Sequence, residues 1–208
     1  MSFVEDLRFA AVQGDAEAQS CLGFCYETGD GVEKNYKKAI YWYTKAAELG
    51  DIEAQFNLGL CYKNGKGVKK SNETAAFWWA KAAEQGDPDA QYNLAGCYHS
   101  GKGVEHNLEK AAYWYKKAAE QGDAEAQFCL SNCYSRGYGV EKDYKKAALW
   151  LVKAAKQGIA GAQFNLGVWY ANGIGVNRDV NSAKLWFRKA SEQGNELAQE
   201  YLEKYFKH

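Results

Sequence analysis

Asp51-Ile52-Glu53-Ala54-Gln55-Phe56-Asn57-Leu58-Gly59-Leu60-Cys61-Tyr62 returns one block later as Asp87-Pro88-Asp89-Ala90-Gln91-Tyr92-Asn93-Leu94-Ala95-Gly96-Cys97-Tyr98. The same spacing runs outward in both directions. Residues 15–50, 51–86, 87–122, 123–158 and 159–194 are five blocks of 36 residues without insertion or deletion. Numbering each block from position 1, Ala fills position 4, Gln position 5, Leu position 8 and Tyr position 12 throughout. Trp fills position 28 as Trp42, Trp78, Trp114, Trp150 and Trp186. A fixed period in this size range is the mark of a repeat architecture.

Each block carries two helical patterns. Positions 4, 8, 11 and 12 recur at helical spacing and define an apolar stripe on a first helix. Positions 25, 28, 29, 32 and 33 define another on a second helix. Asp or Asn at position 1 is expected to cap the first helix. Gly at positions 15 and 36 supplies the left-handed residue that ends each helix. The Gly-x-Gly-Val stretch reads as an inter-helix turn. It is only superficially like a phosphate loop, since no strand precedes it and no Gly-Lys-Ser/Thr follows. The flanks continue the register: Phe9-Ala10-Ala11-Val12-Gln13-Gly14 matches the end of a second helix, and Ala198, Gln199 and Leu202 match a first helix. The predicted fold is an all-α superhelical solenoid of about twelve helices. Its parts are an N-terminal capping helix (1–14), five repeats (15–194) and a C-terminal capping helix (195–208).

Composition agrees and removes several functions. Hydrophobic residues are 47% and charged residues 25% of the chain, as in a folded globular protein. Lys plus Arg and Asp plus Glu are both 26. No basic excess exists to displace counterions, so nucleic acid is not an expected partner. No run approaches the roughly 20 apolar residues of a membrane span. The first residues lack a basic then apolar signal, so the expected location is cytoplasmic and no membrane partner is expected.

Ala-x-Ala-Gln-x-x-Leu-Gly-x-x-Tyr, Gly-x-Gly-Val and Ala-x-x-Trp-Tyr-x-Lys-Ala-Ala-x-x-Gly resemble the Sel1-like repeat, a relative of the tetratricopeptide repeat. The resemblance covers residues 15–194 fully and the flanks in part. It implies a right-handed superhelix whose first helices line a concave groove, and adaptor, scaffold or signalling roles, commonly in bacteria. It names no ligand.

On a helical wheel, positions 3, 6, 10, 13 and 14 lie opposite the stripe at positions 4, 8 and 12, where the groove is expected. Position 6 carries Phe56, Tyr92, Phe128 and Phe164, aromatics that could anchor a bound chain or pack on the next repeat. Position 7 carries Asn57, Asn93 and Asn165. Their carboxamides could clamp a peptide backbone from both its donor and acceptor sides, or bond only within the array. Lys63, His99, Asn132 and Arg136 complete the candidate partner-binding set. Glu17, Glu53, Asp89 and Glu125 at position 3 form an acidic lane, a solvated face unless a basic partner meets it. The groove lacks the repeated Lys and Arg of the carboxylate-clamp tetratricopeptide proteins, so recognition there of an acidic C-terminal tail is disfavoured. The expected partner is a protein or extended peptide, with no cofactor, and the chain is read as a monomer.

Cys25, Cys61, Cys97 and Cys133 occupy position 11, one per repeat. Equivalent positions in stacked repeats stand about two helix spacings apart, beyond the roughly 7 Å between Cα atoms that a disulfide allows. Reduced, buried cysteines are expected. The cysteine-rich secreted branch of the family joins the two helices of a repeat by a disulfide; here the second helices contain no cysteine. Cys21 with Cys25 and Cys129 with Cys133 are i,i+4 pairs, too few ligands for a metal site. The histidines His99, His106 and His208 do not recur, and no Cys-x-x-Cys or His-Glu-x-x-His spacing occurs. No catalytic or metal residues are assigned. A non-catalytic adaptor using the groove is the leading reading. A purely structural or consensus-like engineered module is the alternative, with a cysteine-dependent enzyme or metal protein behind both.

Overall fold

A computed structural model describes residues 3–205. Among them lie twelve helices and no strand. They are α1 (Phe3–Val12), α2 (Ala16–Thr28), α3 (Tyr36–Glu48), α4 (Ile52–Asn64), α5 (Asn72–Glu84) and α6 (Pro88–Ser100), then α7 (Leu108–Glu120), α8 (Ala124–Arg136), α9 (Tyr144–Lys156), α10 (Ala160–Asn172), α11 (Val180–Glu192) and α12 (Glu196–Tyr205). The chain is an all-α solenoid of five 36-residue repeats. It divides into two compact units, one ending at His106 and one beginning at Asn107. In each unit a helix packs on the helix before it and the helix after it. None of the described helices is long and apolar enough to cross a membrane.

The helix ends follow from the residues at them. Asp15, Asp51 and Asp87 have extended backbones and accept a hydrogen bond from the position-4 amide at 2.7, 2.7 and 2.6 Å. Each satisfies a donor that the first turn leaves unpaired. Ile159 stands at the same place in the fifth repeat and supplies no side-chain cap. Gly29 and Gly65 close first helices in the left-handed conformation at φ 88° and 73°. The second glycine of Gly-x-Gly has another task. A Cβ on Gly67 would lie 2.7 Å from the carbonyl oxygen of Tyr36, so the turn of one repeat rests on the second helix of the repeat before.

The core differs from the expected stripe at two positions. Ala at positions 25 and 32 is fully buried, as are Tyr43, Trp79, Leu151 and Phe187 at position 29. The position-28 tryptophans are only half-buried. At about 100° per residue, position 28 lies near the edge of the arc spanned by 25, 29, 32 and 33. Of the position-12 tyrosines only Tyr26 is buried; Tyr62, Tyr98, Tyr134 and Tyr170 are half-buried.

A glutamine ladder stitches the repeats. Gln55 at position 5 is buried, and its Nε2 donates to the carbonyl of Ala47 in the preceding repeat at 3.1 Å. Its Oε1 accepts from Gln85 Nε2 at 2.8 Å, and the same Nε2 also reaches Gly50 O at 3.0 Å. Gln127 repeats the pattern with Ala119, Gln157 and Gly122 in the second unit. Gln55 and Gln127 are therefore buried polar groups with both ends of the amide satisfied.

Candidate functional site

The predicted site residues all lie on first helices, and the first unit holds six of them. On α4, Phe56 and Asn57 are half-buried and Lys63 is exposed, its ammonium 5.4 Å from the Trp79 ring centroid. The Phe56 carbonyl accepts from Trp79 Nε1 at 3.3 Å, which fixes this stretch of α4 against α5. On α6, Tyr92 and Asn93 are half-buried and His99 is exposed. Asn93 Nδ2 donates to the Asp89 carbonyl at 2.8 Å, one turn back on its own helix. The position-3 acids Glu17, Glu53 and Asp89 are exposed. Glu27 accepts from the Tyr43 hydroxyl at 3.0 Å and pairs with Lys66 at 3.1 Å. That carboxylate joins α2, α3 and the turn after α4.

The second unit holds the other five. Phe128 on α8 is half-buried and packs against the cluster of Leu151, Ala162 and Leu166. Phe164 on α10 stands 5.8 Å from the Phe187 ring and 5.6 Å from that of Tyr201 on α12. One side of each aromatic thus covers the following repeat, and the rest meets solvent. Asn132 and Asn165 are half-buried, and Arg136 is exposed with its guanidinium 5.9 Å from the Tyr138 ring centroid. Among the described residues, the side chains of Asn57 and Asn165 make no hydrogen bond within the protein. They carry free donors and acceptors beside an aromatic ring.

A second exposed row was not singled out from the sequence. Position 27 carries Tyr41, Phe77, Tyr113, Leu149 and Leu185 on the second helices, between 51 and 67% exposed. Lysine follows at position 31 in every repeat. Lys81 lies over the Phe77 ring at 5.2 Å and Lys117 over the Tyr113 ring at 5.7 Å. The readable signal was an apolar residue one place before each tryptophan, off the stripe of positions 25, 29, 32 and 33.

All six cysteines are free thiols. Burial pushes Cys61 and Cys133 up to about 12 and Cys129 up to about 11. The thiolate is the reactive form, so these three sulfurs are held protonated at neutral pH. His99 and His106 are exposed on different segments, and His208 lies outside the described residues.

The family model for the Sel1 repeat matches residues 16–51, 52–87, 88–123, 124–159 and 160–195. No curated protein is matched. Among solved structures, c5321, a protective antigen of uropathogenic Escherichia coli strains displaying an SLR fold, is 40% identical with a TM-score of 0.89. The match covers 93% of this chain and 41% of that one, so the chain spans about two fifths of its length. A Sel1 repeat protein from Oxalobacter formigenes is 38% identical with a TM-score of 0.83, covering 91% of this chain and 76% of that one. The immunity protein Pa5087 from Pseudomonas aeruginosa is 26% identical with a TM-score of 0.51, covering 99% of this chain and 79% of that one.

Proposed function

The chain belongs to the Sel1 repeat family, whose members typically mediate protein–protein interaction, and from that premise we propose that it is a non-catalytic adaptor. It holds an extended segment of another protein on the face of its first helices. The observation that carries this reading is the pairing of a half-buried aromatic with a neighbouring, unbonded carboxamide: Phe56 with Asn57, and Phe164 with Asn165. The ring offers apolar area at low entropic cost, and the amide bonds peptide groups whatever the ligand's sequence. Tyr92, Phe128 and the polar side chains of Lys63, His99, Asn132 and Arg136 extend the surface in each unit, and Asn93 contributes its remaining acceptor. In this reading α1 and α12 cap the array, as solenoid ends require.

A structural module with no groove ligand is the second reading, favoured by the packing of Phe128 and Phe164 on the following repeat. Affinity capture from the native cell extract separates the two. The wild-type chain is compared with an Asn57→Ala, Asn165→Ala variant of unchanged helicity, since neither change removes core packing. A protein retained by the first and lost by the second is the expected result. Equal retention by both would remove the first-helix face from the interaction.

A further inference from the structure

The second-helix face departs from its own repeat pattern in one place. Position 34 reads Glu48, Glu84, Glu120, Lys156 and Glu192, so the fourth repeat alone reverses the charge. Helix α9 carries Lys145, Lys146, Lys153 and Lys156 and no acidic residue. Lys146 pairs with Asp143 at 3.4 Å; the other three have no ion-pair partner among the described residues. The fourth repeat is also the only one with aliphatic side chains at both position 27 and position 30, Leu149 and Val152. Leu149 is 67% exposed, a poor place for a leucine with nothing to cover it.

The aliphatic pair Leu149 and Val152 lines a cleft of about 740 Å³ between α9 and the turn that follows α10. Ala148, Leu149, Val152 and Val176 supply its apolar lining, and Lys145 and Lys153 line it as well. Lys153 is held there, its ammonium 4.2 Å from the centroid of the Trp150 ring. Asn177 lines the cleft where the first, third and fourth repeats have Glu33, Glu105 and Glu141, so the opposite wall has lost an acid as well. The result is an apolar slot bordered by two lysines, Lys145 and Lys153, that have no ion-pair partner among the described residues.

We propose that this cleft is a second docking site, distinct from the first-helix face, for an acidic segment of another protein that inserts one bulky aliphatic side chain. The slot accepts the side chain, while carboxylates on either side meet Lys145 and Lys153. Charge complementarity sets the orientation and the approach rate, and the buried side chain supplies the anchor. A concave slot distinguishes this site from a basic face that lies on lipid, which needs a flat amphipathic surface.

The test uses the full chain and a fluorescein-labelled peptide, Glu-Asp-Glu-Leu-Glu-Asp-Glu, followed by anisotropy at low and at physiological salt. Saturable binding is expected, weakened about tenfold by Lys145→Glu with Lys153→Glu. It should weaken by a similar factor for Leu149→Ser, and for a peptide with Ser in place of its Leu. Lys81→Glu on α5, and Asn57→Ala with Asn165→Ala on the first helices, should bind as the wild type does, which keeps this site separate from the adaptor face. Circular dichroism checks that each variant stays folded. Absence of binding, or binding indifferent to Lys153 and to the peptide's Leu, would overturn the proposal. Binding to phosphatidylserine vesicles without binding to the peptide would overturn it in favour of a membrane surface.

Discussion

Gln19 and Gln55 occupy the same position in successive repeats and differ in one neighbour. Both donate through Nε2 to a carbonyl of the preceding repeat, Gln19 to Ala11 at 2.9 Å and Gln55 to Ala47 at 3.1 Å. Gln55 Oε1 accepts from Gln85, but position 35 of the first repeat is Leu49, and Gln19 Oε1 is buried with no hydrogen-bond partner. A buried acceptor left unpaired costs about 1–3 kcal/mol. Leu49 is 60% exposed, so little apolar packing is lost by changing it. Leu49→Gln is therefore expected to stabilise the protein by about 1 kcal/mol, raising the thermal midpoint by roughly 2–4 °C for a chain of this size. Gln85→Leu should do the reverse by orphaning Gln55. Thermal unfolding followed by circular dichroism checks both, and a Leu49→Gln midpoint at or below wild type would sink the argument. The recurrence of Gln at position 5 was plain in the sequence. Its meaning was not, because its second partner lies 30 residues on and arrives only when the second helices of adjacent repeats lie side by side.

Within one helical hairpin the two helices are set against each other at positions 9 and 29. A Cβ on Gly23 would lie 2.6 Å from the Tyr43 ring, and one on Gly167 would lie 2.7 Å from that of Phe187. Gly167→Ala gains about 1 kcal/mol of helix propensity but must push a fully buried ring, which costs typically 1–3 kcal/mol. A net destabilisation of about 1 kcal/mol is expected, and adding Phe187→Leu should recover part of it, since the fourth repeat runs Ser131 with Leu151 there. Denaturant midpoints of the single and double variants decide; an unchanged Gly167→Ala midpoint would mean the helices can part at no cost. At this scale the helices, caps and turns were legible, because caps and glycines act locally. Core depth was less so. Positions 28 and 29 are both aromatic in four of the five repeats, and the apolar pattern does not say which one faces the first helix.

At the scale of the whole molecule, contacts between repeats within a unit include two made to backbone, and this determines what can be removed. Gln55 and Gln91 each bind a carbonyl, and Gly67 and Gly103 each rest on one, so neither contact depends on the side chain of the partner residue. The site residues show the opposite limit. Their recurrence at positions 6 and 7 was readable, but the cover that Phe128 and Phe164 give to the next repeat, and the bond by which Asn93 turns back on its own helix, come from tertiary placement. The exposed row at position 27 was missed for the same reason, since exposure depends on which face the neighbours leave open. Removal of residues 51–86 joins Gly50 to Asp87 in register. Gln91 then meets the Ala47 carbonyl in place of that of Ala83, and Gly103 meets the Tyr36 carbonyl that Gly67 had met. Stability in such arrays is approximately a sum over repeats and their interfaces, so the shortened chain should fold with unchanged mean residue ellipticity and a lower unfolding midpoint. Removal of residues 51–68 is the contrasting case, because it sets two second helices in succession and leaves the alternation of helix faces broken. Loss of helicity in the half-block deletion alone is the expected result. Loss in both would mean that side-chain contacts particular to each repeat, and not the shared backbone register, hold the array together.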